Sequence, residues 1–191
     1  MAPVKLSRLL GVGAVLSGLL LALPRAVQAQ DDSAAVLESR VKAAFLYKFA
    51  DYVAWPEGTF TRSNAPVVIG VAGDDQIAAE LANVAASRPA EGHPLVVKKL
   101  REGDSLAGLQ MLFAGRAEVA RLLQLARAAP ALPVLIVTDS EGALSQGGII
   151  NFMVAGGRVR FEIALDNAER RGIKLSSRLL TVAQNVRTAQ P

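Results

Sequence analysis

The sequence of 191 residues contains no cysteine. Without a thiol, the protein can form no disulfide, no zinc site built on thiolates and no cysteine nucleophile. Its stability must therefore come from a hydrophobic core, and several runs of Val, Ile and Leu provide one.

Histidine is almost absent as well, because His93 is the only one. A Ser-His-Asp triad would have to use His93, but the sequence has no Gly-x-Ser-x-Gly elbow for the nucleophile. A zinc site built from histidines would need partners that the sequence does not contain. His93 lies in the Gly/Pro turn Glu91–Pro94, so we interpret it as an exposed turn residue. We expect no catalytic residue, no metal and no cofactor, whereas a hydrolase would require that His93→Ala abolish an activity.

Glycine-rich phosphate loops are also missing. The segment Gly70–Gly73 lacks the full G-x-G-x-x-G spacing, and two acidic residues follow it where a phosphate would need a positively polarised helix N-terminus. There is no P-loop, and Gly147-Gly148 favours a backbone turn. These patterns argue against nucleotide binding.

The N-terminus has the three parts of a secretory signal. Lys5 and Arg8 precede an uncharged run of about 15 residues, Leu9–Leu23, which Pro24 breaks before Val27-Gln28-Ala29. The alternative is a membrane anchor, but the run is shorter than the roughly 20 residues of a span. The pattern predicts that residues 1–29 are a signal peptide cleaved after Ala29, and that residues 30–191 work as one domain outside the cytoplasm.

Little net charge remains once that signal is removed. Of the 21 Lys and Arg, three lie in residues 1–29, so the mature part carries 18 against 17 acidic residues, a net charge of about +1. This balance argues against a nucleic-acid partner, which requires a basic patch on the folded domain. No later run is long and apolar enough to span a membrane.

The first predicted element of the mature part is a helix over Val36–Ala54. Its apolar positions cover more than half of the circumference, so the helix is either deeply buried or paired with another chain. Trp55-Pro56 should end it, because proline disfavours helical geometry in the preceding residue. The polar stretch Gln30–Ala35 before it is expected to be a loose lead.

Buried-type apolar runs alternate with helical segments along the rest of the chain. The predicted strands are Pro66–Ala72, Pro94–Leu100, Leu109–Ala114, Pro133–Thr138, Gly148–Ala155 and Arg158–Leu165. The predicted helices are Gln76–Ala86, Glu118–Ala129, Asp166–Arg171 and Ser176–Thr188. The fold class is therefore α/β: a single domain with a mixed, mostly parallel sheet flanked by helices, and one β-hairpin at Gly156-Gly157.

Acidic residues follow two of the predicted parallel strands. Asp74 and Asp75 come after one strand and Asp139 after another. Ligands of doubly wound sheets bind beyond the carboxyl ends of strands, so these acids form a candidate ligand pocket. The alternative is that they cap helices and form turns.

The second arm of the predicted hairpin alternates between apolar and charged residues. Strand period places Arg158, Arg160 and Glu162 on one face, and Arg178 follows in the last predicted helix. Arginine is favoured at protein interfaces because its planar fork makes bidentate contacts. These four residues are the candidate partner-binding surface, and the alternative is a solvated sheet face.

Six segments of the chain, taken in order, carry a family resemblance. They are Val41–Phe49 running into Trp55-Pro56, Val67–Val71 with the turn Gly73–Asp75, Pro133–Asp139, Gly147–Ile150, Gly157–Ile163 and Leu175–Leu180. In this order they resemble the YfiR-like family of periplasmic regulatory proteins. The resemblance covers Val36–Val186, nearly the whole mature part.

The resemblance implies a non-enzymatic periplasmic regulator that binds and represses the sensor part of a membrane-bound diguanylate cyclase. Such a regulator controls cyclic-di-GMP signalling and biofilm formation, and an outer-membrane lipoprotein can sequester it. The resemblance also implies a homodimer built on the first helix. The candidate dimer residues are Phe45, Tyr47, Phe49 and Trp55.

The sequence leaves one alternative function open and departs from the family at two points. The alternative is a periplasmic small-molecule sensor or solute-binding protein that uses the acidic pocket. Without cysteine, the redox control that disulfides give to the best-known member cannot operate here. Lys48 and Ala164 stand where the family pattern has asparagine, so we expect no interaction through those amides.

Overall fold

The computed structural model describes residues 23–87 and 93–188, with side chains from residue 33 onward. Most of the predicted signal peptide, residues 1–22, lies outside the described residues. The chain separates into two compact units, residues 1–36 and 37–191. In the first unit, the described part is helical backbone from Leu23. The sheet and the other helices belong to the second unit.

The first helix differs from its prediction at both ends. Helix α1 spans Leu23–Phe49, so the segment Gln30–Ala35 is helical and is not a loose lead. A 3₁₀ turn, Ala50–Tyr52, and a short strand β1, Val53–Ala54, follow it. Strand β1 forms a separate antiparallel pair with β8, Lys174–Leu175, and this distant partner replaces the predicted last turn of the helix.

A seven-stranded sheet forms the centre of the second unit, with strand order β3-β2-β4-β5-β6-β7-β9. The strands are β2 Val67–Ala72, β3 Leu95–Lys99, β4 Met111–Ala114, β5 Leu135–Thr138, β6 Ile150–Ala155, β7 Arg158–Ala164 and β9 Asn185–Arg187. Among these described strands, β6 and β7 are antiparallel, and the other neighbours are parallel. The mixed, mostly parallel sheet is therefore confirmed.

The remaining helices connect these strands. They are α2 Asp75–Ser87, α3 Val119–Ala128, α4 Leu165–Glu169 and α5 Ser177–Val182, with a 3₁₀ turn at Ala143–Gln146. The prediction of a helix over Ser176–Thr188 is wrong in its second half. Strand β9 occupies that part, because Val186 pairs in parallel with Ile163 of β7.

Two hydrophobic clusters cover the two faces of the sheet. The larger one contains Ile69, Phe113 and Phe161 from the strands, together with Leu46 of α1, Ile77 of α2 and Leu179 of α5. The smaller one joins Leu112 and Ile136 to Leu122 of α3. The strands β2, β4 and β5 are thus covered on both sides, which explains their continuous apolar runs.

The hairpin β6–β7 turns at Gly156-Gly157, as predicted. Both glycines have positive φ, 56° and 69°, the backbone geometry that tight two-residue hairpins require. The register pairs Phe152 with Phe161 and Met153 with Arg160. Because side chains alternate, the two phenylalanines face the larger cluster while Met153 and Arg160 face the opposite side.

Candidate functional site

One face of the hairpin β6–β7 presents charged and apolar side chains to solvent. We call it the hairpin face and define it by Met153, Ala155, Arg158, Arg160 and Glu162. Met153 is 38% exposed, and Arg158 and Arg160 are also exposed. The register places Arg160 across from Met153 and Arg158 across from Ala155. The exposed side chain of Met153 therefore shares this face with two arginines.

The charged groups of the hairpin face differ in what they contact. Asn151 Nδ2 donates to Glu162 Oε1 at 3.1 Å, and Arg187 approaches Glu162 Oε2 at 3.6 Å. Within the described ranges, Arg158 and Arg160 have no hydrogen bond or ion pair. The carboxylate is thus held by its neighbours, whereas both guanidinium groups are free to contact another molecule.

Arg178 lies on another part of the molecule. It is exposed on α5, and its neighbour Leu179 packs in the larger core cluster with Phe161. Phe161 points to the opposite side of the sheet from Arg160. The structure therefore brings Arg158, Arg160 and Glu162 together, and it places Arg178 on a helix that covers the other face.

The aromatic residues proposed for a dimer helix pack largely within this chain. Phe49 is 1% exposed, and its ring lies 5.1 Å from that of Phe161. The Phe45 ring lies 5.4 Å from the same ring. Trp55 donates from Nε1 to the Gln110 carbonyl at 3.1 Å. Tyr47 and Trp55 are half-buried and pack against the same cluster.

The three acidic residues of the predicted ligand pocket have separate contacts. Asp74 accepts the Ile77 N–H through Oδ1 at 2.8 Å, at the start of α2. Asp75 pairs with Lys99 at 3.0 Å on the surface. Asp139 follows β5 and pairs with Lys42 of α1 at 2.9 Å. Capping and ion pairing thus account for the contacts of all three.

Backbone contact closes the crevice where ligands of doubly wound sheets bind. That crevice lies where the strand order reverses, here between β2 and β4. A Cβ on Gly115, just after β4, would lie 2.8 Å from the Gly73 carbonyl oxygen. The two glycines therefore allow the loops after β2 and β4 to approach each other closely.

A buried charge cluster was missed by sequence reasoning. The Lys42 side chain is 6% exposed, and its Nζ lies 2.6 Å from Glu38 Oε1 and 2.9 Å from Asp139 Oδ2. Burial alone would lower the pKa of Lys42, but hydrogen bonds and charge from Glu38 and Asp139 outweigh it and raise that pKa above its usual 10.5. Asp139 Oδ1 is buried and has no hydrogen-bond partner within the described part of the chain.

His93 is not placed to form a catalytic triad with Asp139. It is half-buried rather than exposed, because its ring stacks on Phe60 with centroids 4.1 Å apart. It precedes β3, at the amino ends of the parallel strands, whereas Asp139 follows β5 at their carboxyl ends. These two residues therefore lie at opposite ends of the parallel strands.

The described residues contain no candidate metal site and no candidate membrane span. No cluster of three His, Cys, Asp or Glu in residues 33–87 and 93–188 is arranged to hold a metal ion. None of the described helices combines the length and the apolar character that crossing a bilayer requires.

Comparison with known proteins identifies a family and finds solved structures that are similar to this chain. A family model described as YfiR/HmsC-like matches residues 39–184. No curated protein matches the chain. The crystal structure of a conserved domain protein from Vibrio cholerae O1 biovar El Tor str. N16961 is similar, with 13% identity and a TM-score of 0.48, over 78% of this chain. This chain spans 60% of that protein's length.

Proposed function

Because the chain belongs to the YfiR/HmsC-like family, we propose that it is a non-enzymatic periplasmic regulator that represses a membrane signalling protein. Its target would be the periplasmic sensor part of a diguanylate cyclase, so that the protein controls cyclic-di-GMP signalling and biofilm formation. The family match over residues 39–184, nearly the whole mature part, carries this proposal.

The hairpin face supports the proposal with a surface suited to a protein partner. Met and Arg are enriched in interfaces, where Met adapts its shape and Arg makes directed contacts. Arg158 and Arg160 have no partner among the described side chains, so binding would break no internal ion pair. A complementary partner surface would carry carboxylates spaced to meet two guanidinium groups.

Repression requires only differential binding. A protein that binds the inactive conformation of the sensor more tightly shifts the cyclase toward that conformation. Coupling of about 1–3 kcal/mol, which is common in regulated proteins, changes an equilibrium roughly 5- to 150-fold. An outer-membrane lipoprotein that binds the same surface would release the cyclase by competition.

The first experiment is capture of the partner from membranes. We would express the chain with a C-terminal tag in its own host, solubilise the membranes with detergent and identify the bound proteins by mass spectrometry. Recovery of a transmembrane cyclase is the expected result. Repeated capture of no membrane signalling protein by folded protein would contradict the proposed function.

The same capture can test the hairpin face. The double variant Arg158→Glu/Arg160→Glu should lose the partner, because the reversed charges repel its carboxylates. The control Arg62→Glu/Arg101→Glu makes the same change of charge at two other exposed arginines and should retain it. The single variant Arg178→Glu shows whether α5 contributes. Full capture by the hairpin double variant would eliminate the hairpin face as the binding site.

A further inference from the structure

A cavity of about 250 Å³ lies between the end of α3, the 3₁₀ turn Ala143–Gln146 and helix α4. Three arginines from two different helical regions, Arg127, Arg170 and Arg171, contribute to its wall. Gln146, Gly147 and Asn167 are among the other lining residues. We call this cavity the arginine pocket.

Hydrogen bonds to the backbone hold two of these arginines in place. Arg171 donates to the carbonyls of Ala126, Ala129 and Leu132 at 2.8–3.3 Å, which lie in and just after the last turn of α3. Each of these carbonyls also accepts a backbone N–H, and the guanidinium group links the segment after α4 to the C-terminal end of α3. Arg127 donates from Nη1 to the Gln146 carbonyl at 3.1 Å. The pocket wall is therefore pre-organised.

The charges around the arginine pocket do not balance. Arg170 pairs with Asp166 at 3.0 Å and contacts Asn167. Among the described side chains, Asp166 is the one carboxylate that pairs with any of the three arginines, so two positive charges are left over. Burial, and then repulsion from the Arg170 guanidinium, lower the pKa of Arg171, although an arginine remains protonated.

We propose that the arginine pocket binds a small oxyanion, a ligand that carries a phosphate or a carboxylate group. Such a group neutralises the surplus charge and matches the planar fork of an arginine side chain. A volume of about 250 Å³ is below the roughly 300–1,000 Å³ of sites for drug-sized ligands. The ligand would therefore have on the order of ten non-hydrogen atoms, given about 30 Å³ for each water it displaces.

This site goes beyond the proposed regulatory function and uses other residues. It shares no residue with the hairpin face, and Asp74, Asp75 and Asp139 are not part of its lining. Loss of anion binding and loss of partner capture are therefore separate results. For the alternative function of a small-molecule sensor, the arginine pocket implies an anionic ligand.

The test measures binding of inorganic phosphate and of succinate to the purified full chain by calorimetry and thermal shift. Sodium chloride at equal ionic strength controls for screening. At a concentration tenfold above the dissociation constant, the bound anion should raise the melting temperature by about 3–6 °C. A response to phosphate alone or to succinate alone assigns the group, and no response to either overturns the proposal.

A pair of matched variants tests the location of the site. Arg127→Gln/Arg170→Gln should weaken anion binding at least about tenfold, because two charged donors are lost. Arg171 is left unchanged because it holds the end of α3. The control Arg158→Gln/Arg160→Gln removes the same charge from the hairpin face and should bind like the parent. Calorimetry well below each variant's melting temperature separates loss of the site from loss of the fold. If Arg127→Gln/Arg170→Gln binds the anion as tightly as the parent, the anion binds elsewhere and the proposal is overturned.

Discussion

At the scale of single residues, Lys42 shows how a charge is kept inside this protein. Its side chain is 6% exposed, and that of Asp139 is 9% exposed. Transfer of either charge from water is costly, and the pair is tolerated because each group has the other as a hydrogen-bond partner. Removal of Lys42 therefore leaves the Asp139 carboxylate buried and uncompensated, whereas removal of Asp139 would leave Lys42 paired with Glu38.

The first prediction concerns Lys42→Met. This change should lower the free energy of unfolding by about 3–5 kcal/mol, the usual cost of breaking a buried pair from one side. The control Lys48→Met lies on the same helix, where Lys48 is 50% exposed and 3.4 Å from Asp51. That control should change stability by less than about 0.5 kcal/mol. Urea unfolding measures both, and equal losses would contradict the buried-pair explanation.

The second prediction is a loss of stability at alkaline pH. The pKa of Lys42 is raised above 10.5 in the folded state, so its contribution is fully present below pH 10.5 and is lost as pH rises through the folded pKa. Urea unfolding from pH 8 to about 11.5, a range that extends above the unfolded pKa of about 10.4, should show a steeper alkaline fall for the parent than for Lys42→Met. Parallel curves would show that other lysines and tyrosines cause the fall.

The Lys42–Asp139 contact also marks a limit of sequence reasoning. The two residues are separated by 97 positions in the chain, and no local pattern links them. The sequence showed Lys42 as one of several polar residues on a mostly apolar helix. Lys42 is buried because α1 packs over the carboxyl end of β5, and this packing is visible only in the folded chain.

At the scale of elements, local patterns predicted the strands and helices that bury a continuous apolar run or face. Strand β2 begins one residue later than predicted and ends where predicted, and helix α3 is one residue shorter than predicted at each end. Strands β1, β8 and β9 were missed because they have two or three residues each. Such short strands are defined by their partners, and nothing in their own composition distinguishes them from helix ends or loops.

The third prediction separates capping from ligand binding at the start of α2. Asp74→Ala should lower the free energy of unfolding by about 1 kcal/mol, because the Ile77 N–H loses its acceptor. Asp75 is the matched control, since its side chain is 89% exposed, and Asp75→Ala should change stability by less than about 0.5 kcal/mol. Thermal unfolding measures both variants. Two unchanged melting temperatures would reopen the possibility of a binding role for these acids.

The fourth prediction concerns the closed crevice between β2 and β4. Gly115→Ala would put a Cβ 2.8 Å from the Gly73 backbone oxygen, whereas Gly70→Ala would meet the side-chain ends of Leu100 and Leu109 at 2.7 Å. Flexible side-chain ends can move and backbone cannot, so Gly115→Ala should be the more destabilising change, by roughly 1–3 kcal/mol. Chemical denaturation compares the two. The reverse order would mean that the loops after β2 and β4 separate easily.

At the scale of the whole molecule, the sequence predicted the charged face that lies on a single strand. It missed the arginine pocket, which several elements form together. Strand period alone placed Arg158, Arg160 and Glu162 on one face, because residues two apart on a strand share a side. The arginine pocket draws on the end of α3, a 3₁₀ turn and α4. The sequence does not show its surplus of positive charge, because that surplus depends on the fold bringing three arginines together with one paired carboxylate among the described side chains.

The last prediction concerns assembly. The homodimer that the family resemblance implies needs an exposed apolar surface on α1, where Leu37 is 62% exposed and Ala44, seven residues later, is also exposed. Sedimentation velocity of the parent should show a dimer. Leu37→Asp should weaken that dimer at least about tenfold, because loss of a buried leucine costs roughly 1.5–3 kcal/mol.

Val182→Asp is the matched control for this test, since Val182 is also 62% exposed but lies on α5. It should leave the dimer intact if the contact is made by α1. Equal weakening by both substitutions would mean that general surface polarity, and not the α1 surface, controls association. A parent that remains monomeric at every concentration would contradict the homodimer, and the exposed Leu37 would then need another explanation.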